Sequence, residues 1–153
     1  MSTKKNVLII THSIQNGINE RQSTECANVI GFDNKIVRRI NPTEVTREDV
    51  LEADKIVMIV PEWNCSFPWS FKKMIDDSGY PSYFANKQIF IVGTSTTTFG
   101  NIVGINHLTH IFDWLGAHVL ERVCVPRIDE KFANDDIQVD ERLNKALVAF
   151  IDC

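Results

Sequence analysis

Short runs of apolar residues, rich in isoleucine and valine, recur along the chain and alternate with segments whose apolar residues are spaced three or four positions apart. The runs are typical of strands buried on both faces of a parallel sheet. The spaced segments are typical of helices with one apolar face. Strands are predicted at 6–10, 35–40, 55–60, 88–93 and 117–125, and helices at 19–31, 46–54, 67–79, 103–116 and 140–151.

The alternation of strand and helix predicts the fold class. Such an order is typical of α/β proteins in which helices cover both faces of a parallel sheet. We therefore expect a flavodoxin-like three-layer α/β/α sandwich with a five-stranded parallel sheet in the order 2-1-3-4-5. No repeat, low-complexity tract or linker divides the sequence, so residues 1–153 are interpreted as a single domain.

In sheets of this kind ligands bind beyond the carboxyl ends of the strands. Three loops follow the most apolar strands: "THSIQNGIN" (11–19), "PEWNCSFP" (61–68) and "GTSTTTFGN" (93–101). The hydroxyls and amides of the first loop indicate either an anion site at a helix N-terminus or an ordinary connection. In the third, glycines flank hydroxyl residues and would let the backbone approach a ligand, although such turns also occur without one.

Composition narrows the class of protein. Sixteen Lys and Arg residues against twenty Asp and Glu give a net charge of −4 without a basic cluster, which argues against nucleic-acid binding. Four scattered cysteines suggest neither a disulfide framework nor a zinc site, and no apolar stretch is long enough for a membrane span. We expect a cytoplasmic protein without a metal, in which the four histidines have solvated or capping roles.

The middle loop and the helix after it, "PEWNCSFPWSFKKMIDD" (61–77), resemble the pattern P-E-Y-N-G-S-x-P-x-x-L-K-N-x-I-D of the NADPH-dependent FMN reductase family. The stretch from 93 to 120 is similar to the family's S-x-G-x-x-G-G loop and the helix that ends in L-G-A-x-V-L. The first loop departs from the family's G-S-x-R, because His12 stands at the glycine and Gln15 at the arginine. Trp63 replaces a tyrosine, Cys65 a glycine, and threonines occupy positions 96 and 97 where glycines are common.

The resemblance implies FMN as cofactor and NADPH or NADH as electron donor. It implies no catalytic side chain, because the flavin carries the hydride chemistry. If the position of the family's glycine requires φ > 0, the cysteine found there costs of order 1–3 kcal/mol. The residues that the resemblance assigns to the cofactor are Ser13, Gln15, Asn19 and Arg21 at the phosphate, Pro61, Glu62, Trp63, Asn64 and Cys65 along the ring, and Ser95, Thr96, Thr97, Thr98 and Gly100 in the third loop.

Two functions remain open at this point. One is an NAD(P)H oxidoreductase that passes electrons from FMN to a flavin, quinone, azo compound or metal oxyanion. The other is a flavodoxin-like FMN-binding or electron-transfer protein whose reductase activity is weak or lost. The resemblance also implies a homodimer or homotetramer, for which the aromatic residues Trp69, Phe71, Tyr80, Tyr83 and Phe84 are the predicted contact surface.

Overall fold

The protein is built on one five-stranded parallel sheet. The computed structural model describes residues 5–12, 21–22, 28, 35–132 and 140–153. The strand order is β2-β1-β3-β4-β5, which confirms the predicted topology. The strands are β1 (Lys5–Thr11), β2 (Lys35–Ile40), β3 (Lys55–Pro61), β4 (Gln88–Thr94) and β5 (His118–Val125).

Helices follow the strands at the predicted places. They are α1 (Arg47–Glu52), α2 (Trp69–Asp77), α3 (Ile102–Trp114), α4 (Ile128–Lys131) and α5 (Glu141–Asp152), with a 3-10 turn at Pro42–Glu44. Positions 21, 22 and 28 are helical, and the rest of the helix predicted at 19–31 lies outside the described residues. Helix α2 begins two residues later than predicted, because Pro68 has an extended backbone at its N-cap. The four-residue α4 was not predicted, since one turn is too short for a helical period.

The sheet is covered on both faces, which explains the apolar runs in its central strands. In β3, Ile56 and Met58 pack into the core formed with α1, α2 and α3, whereas Val57 and Ile59 pack into the core formed with α4 and α5. All four side chains are fully buried. Each such burial is worth about 1.5–3 kcal/mol relative to exposure. The strands are thereby held firmly enough to position the loops at their ends.

The aromatic set predicted as a subunit contact is divided between core and surface. Phe71 and Phe84 are fully buried in the core beneath α2 and α3, so their assignment to a contact surface was wrong. Trp69 and Tyr80 are exposed. Sequence alone did not separate the two groups, because aromatic side chains are typical both of cores and of subunit contacts. Among the described helices, none has the length and apolar character needed to cross a membrane.

Candidate functional site

The carboxyl ends of the three central strands lie side by side. Thr11 of β1 is in register with Ile59 of β3, and Pro61 of β3 with Thr94 of β4. The Glu62 N–H continues this pairing by donating to the Thr94 carbonyl at 2.8 Å. The loops that follow β3 and β4 therefore begin next to each other, and His12 begins the loop after β1 at the same edge.

The loop after β3 is a tight turn at residues 63–66. Trp63 and Ser66 exchange both backbone hydrogen bonds, with N···O distances of 2.9 and 3.0 Å. The two central residues, Asn64 and Cys65, have φ values of +48° and +60°. This combination defines a type I′ turn, for which Asn-Gly is the preferred pair. The condition set out from the sequence is met: Cys65 does occupy a left-handed position.

The turn presents unused hydrogen-bond donors at the surface. Within residues 35–132, the backbone N–H groups of Asn64 and Cys65 donate to no protein acceptor, and the Asn64 side chain makes no hydrogen bond. Pro61 is buried as the last residue of β3, Glu62 is half-buried, and residues 63–65 are exposed. A ligand lying along this edge would meet two backbone donors and one amide without displacing an internal hydrogen bond.

The loop after β4 uses part of its hydroxyl groups to fix its own shape. Thr97 donates its N–H to Ser95 Oγ at 2.8 Å, and the two hydroxyls are 2.5 Å apart. The Thr97 hydroxyl also donates to Glu62 Oε2 at 3.4 Å, which links the loops after β3 and β4. Thr96 and Thr98 are exposed, and neither hydroxyl has a hydrogen-bond partner in the described part of the chain. Of the four hydroxyl residues, these two are free to meet a ligand.

Gly100 serves the packing of this loop. Its φ is +59°, and a Cβ at this position would lie 2.8 Å from both Cys124 Cβ and the Val125 nitrogen. The sequence suggested that glycines here let the backbone approach a ligand. In the structure the absent side chain instead lets the loop fold against β5. A cofactor contact by the Gly100 backbone stays a prediction.

Asn101, at the end of the loop after β4, connects strand β3 to helix α3, a role that was not predicted from the sequence. Its Nδ2 donates to the Val60 carbonyl at 3.1 Å, and its Oδ1 accepts from the Gly104 N–H at 3.1 Å. The residue is 1% exposed and has a φ of +63° at the N-cap of α3. Asparagine is a preferred N-cap residue, so its place before the helix was an available signal. A Cβ on Gly104 would lie 2.7 Å from the Ser66 carbonyl carbon, so α3 supports the turn directly.

The loop after β1 is described only at its start. Ser13, Gln15 and Asn19, predicted at the phosphate, lie outside the described residues. Arg21 Nη1 donates to the Phe132 carbonyl at 3.1 Å, which engages one arm of its guanidinium at the end of α4. Thr11 is 7% exposed, and its Oγ1 has no hydrogen-bond partner among the described residues. A buried hydroxyl without a partner at this edge is suited to a polar ligand atom.

Two histidines contact the site. His12 Nδ1 lies 2.8 Å from Ser70 Oγ, and its ring packs edge-on against Trp63. His107 Nδ1 lies 3.1 Å from Ser66 Oγ at the other side of the turn. Burial lowers the pKa of His12. No cluster of three metal-ligating side chains occurs among the residues for which positions are given.

These features fit the ring of a flavin. Such a ring offers a flat apolar face together with a polar edge of carbonyl and nitrogen atoms. The indole of Trp63 would supply a stacking surface. The free N–H groups of Asn64 and Cys65 would supply donors for the edge, and Thr11 Oγ1 would supply a further buried polar atom.

Comparisons with known proteins agree with this interpretation. A model of the NADPH-dependent FMN reductase family matches residues 28–128, more than half of the chain. No protein of curated function matches the sequence.

The fold is similar to those of several solved flavoproteins. FerB, a flavoenzyme NAD(P)H:(acceptor) oxidoreductase from Paracoccus denitrificans, superposes with a TM-score of 0.75 at 17% identity over 97% of this chain and 96% of FerB. The NADH:FMN oxidoreductase EMOB gives 0.76 at 16% identity over 97% and 89% of the two chains. The two-electron reduced flavodoxin of Megasphaera elsdenii gives 0.72 at 12% identity over 95% and 99%. At these identities the likeness establishes the fold, and the family match adds the cofactor. The chain belongs to the NADPH-dependent FMN reductase family and is an FMN-dependent oxidoreductase whose electron donor is a reduced nicotinamide nucleotide.

Proposed function

We propose that the chain, as one domain over residues 1–153, reduces its FMN with NADPH or NADH and passes the electrons to a small-molecule acceptor, namely a flavin, quinone, azo compound or metal oxyanion. The observation that carries the proposal is the type I′ turn at 63–66. It holds two free N–H groups and an exposed indole at the carboxyl edge of the sheet. The acceptor needs access from solvent, and residues 96–99 on the opposite loop are exposed.

The residues of this chain bind and orient the cofactor. When bound, FMN supplies the hydride acceptance and the onward transfer of electrons. The N–H groups of Asn64 and Cys65 donate to the polar edge of the ring, where reduction places negative charge, and such preorganised donors favour the reduced form. Trp63 covers one side of the ring. We assign the exposed hydroxyls of Thr96 and Thr98 to the other loop's contact with the ring, and Ser13, Gln15 and Asn19 to the phosphate.

The first experiment is the visible spectrum of the purified protein. We expect flavin absorbance that NADPH or NADH bleaches without oxygen, and that returns when a quinone, an azo dye, free FMN or a metal oxyanion is added. FMN should bind more tightly than FAD, because no second nucleotide-binding motif is present. Absence of bound or bindable flavin would contradict the proposal.

Asn64 offers a matched test of the turn. Asn64 and Asn86 both have positive φ, +48° and +64°, but Asn86 lies near the amino end of β4, at the opposite edge of the sheet. Each Asn→Leu change therefore carries a similar backbone cost. Only Asn64→Leu should weaken FMN binding, by roughly 1–3 kcal/mol if a ring atom is left unpaired. Equal FMN dissociation constants for the two variants would show that the turn does not contact the flavin.

The alternative is a flavodoxin-like FMN-binding or electron-transfer protein with weak or lost reductase activity. It is favoured by the strained Cys65 and by glutamine at position 15 in place of the family's arginine. Such a protein would bind FMN and accept electrons from dithionite, yet NADPH and NADH would leave the flavin oxidised. The same anaerobic spectrum therefore decides between the two functions.

We also infer a cytoplasmic homodimer or homotetramer. Tyr80 and Trp114 are 88% and 76% exposed, and their rings lie 6.4 Å apart on the surface beside α2 and α3. Exposed aromatic pairs of this kind are enriched in subunit interfaces. Light scattering should give a mass of two or four chains for the wild type and a smaller mass for the double variant Tyr80→Ser/Trp114→Ser. A monomeric wild type would overturn the inference.

A further inference from the structure

His12 lies between the core of the protein and Trp63, the residue that forms one wall of the proposed flavin site. It follows β1 directly and is half-buried. Its Nδ1 lies 2.8 Å from the hydroxyl of Ser70, a fully buried residue in the first turn of α2. The two residues are 58 positions apart in sequence. The imidazole is thus fixed by a group that cannot move without moving α2.

The other side of the imidazole contacts Trp63. The ring centroids are 5.0 Å apart and the ring planes are at 80°, the edge-to-face geometry that aromatic pairs prefer. Trp63 is otherwise 37% exposed and is bonded through its backbone to Ser66 in the type I′ turn. The described contacts therefore support the indole from one side and leave another part of it open to a ligand.

The imidazole is suited to this role without a charge. Burial lowers its pKa from the ordinary value of 6.5. His12 is therefore mainly neutral at pH 7. A neutral imidazole bonds a hydroxyl group as donor or as acceptor, so the contact with Ser70 fixes the ring plane whichever nitrogen carries the proton.

We propose that His12 is a positioning residue, which Ser70 anchors and which holds the indole of Trp63 in place before the flavin binds. The inference rests on the proposed function, in which Trp63 covers one side of the ring. A wall that is already ordered loses less conformational entropy when the ligand binds. Removing the edge-to-face contact should raise the flavin dissociation constant about three- to tenfold.

The first test uses the protein without flavin. A background of Trp69→Phe and Trp114→Phe leaves Trp63 as the one tryptophan, and both replaced residues are exposed. In this background, His12→Ala and Ser70→Ala should each lower the fluorescence anisotropy of Trp63 and increase its quenching by acrylamide. His110→Ala, which removes an exposed histidine from α3, is the control and should change neither.

A pH titration of the same fluorescence distinguishes a direct contact between His12 and Trp63 from a general loosening of the structure. A protonated imidazole against an indole quenches its emission, so quenching should appear below pH 6.5, the ordinary pKa of histidine, because burial lowers that of His12. The transition should be absent in His12→Ala and present in His110→Ala. Unchanged anisotropy, acrylamide quenching and pH profile in His12→Ala would overturn the proposal. If His12→Ala does not fold, Ser70→Ala decides from the same anisotropy and quenching measurements.

The second test measures flavin binding. His12→Ala should raise the dissociation constants of FMN and riboflavin by the same factor, because the indole contacts the ring and not the phosphate. If Trp63 becomes mobile while both constants stay unchanged, flavin binding does not depend on a fixed indole and the proposal fails. If the wild type binds neither flavin, the proposed function fails instead, and the fluorescence data alone decide whether His12 positions Trp63.

Discussion

Replacing Cys65 with glycine should stabilise the protein. The residue has a φ of +60° at the second central position of the turn. A left-handed backbone costs a residue with a Cβ about 1–2 kcal/mol, a cost that glycine does not have. Glycine also increases the conformational entropy of the unfolded chain, which lowers the free energy of unfolding by about 0.4–1 kcal/mol. Because the Cys65 side chain is exposed, little burial is lost. The net gain should be roughly 0.5–1 kcal/mol.

Urea denaturation under reducing conditions measures this gain. The midpoint should rise at unchanged m-value, since the surface exposed on unfolding stays the same. A gain of about 1 kcal/mol should raise the melting temperature by about 2–4 °C in a domain of this size. Two control variants separate the backbone from the side chain. Cys65→Ala removes the thiol but keeps the Cβ, and it should leave stability unchanged.

The second control is Asn64→Gly. Asparagine tolerates the left-handed region, so this change should be neutral or slightly destabilising although its φ is also positive. The reasoning would be refuted if Cys65→Ala stabilised the protein as much as Cys65→Gly. It would also be refuted if Cys65→Gly lowered the free energy of unfolding, because the turn would then not have the type I′ geometry in solution.

Three further changes test the elements around the turn. Gly104→Ala, whose Cβ would overlap Asn101 Oδ1 and lie 2.7 Å from the Ser66 carbonyl carbon, should lower the free energy of unfolding by about 1–3 kcal/mol and weaken FMN binding; unchanged FMN binding would show that the contact of α3 with the turn does not matter for the site. Asn101→Ala removes a helix cap and a buried hydrogen bond to the Val60 carbonyl, so urea unfolding should show a loss of about 1–3 kcal/mol, and a loss below that of an exposed cap would contradict the geometry. Gln15→Arg should tighten FMN binding by about 1–2 kcal/mol, less at high salt, and leave riboflavin unchanged in a parallel titration; an equal gain for riboflavin would mean that position 15 does not face the phosphate.

The fold could be predicted because its strands are buried on both faces. Residues 56–60 are wholly apolar in sequence and fully buried in the structure, so the pattern indicates a parallel sheet covered by helices on both faces. The burial of Lys55 could not be predicted from such a pattern. It is buried with its ammonium 4.8 Å from the Phe150 ring. A helix near the end of the chain supplies that ring, and local spacing cannot show this.

The site could be predicted in outline only. The loops were located correctly because parallel strands end at the same end of the sheet, and the family's glycine at position 65 raised the question of a positive φ there. Cysteine at position 65 conceals the Asn-Gly signal that would have named its type. The bonds of His12 with Ser70 and of Asn101 with Val60 join residues 58 and 41 positions apart. Such contacts depend on how whole elements pack, so nothing near His12 in sequence indicates its place against Trp63.

Three residues that depart from the family pattern, His12, Trp63 and Cys65, lie in or beside this turn. The contacts around the turn explain how they coexist. A non-glycine residue stays in the left-handed region only where its surroundings over-determine the backbone. Here the surroundings include the paired backbone bonds between Trp63 and Ser66, the packing of α3 on Ser66, and the ring of His12 against Trp63. The extra side chain at position 12 thus helps to hold the turn in which Cys65 is strained. With glutamine at position 15 in place of the family's arginine, we expect flavin affinity to depend more on the rigidity of this turn than on charge.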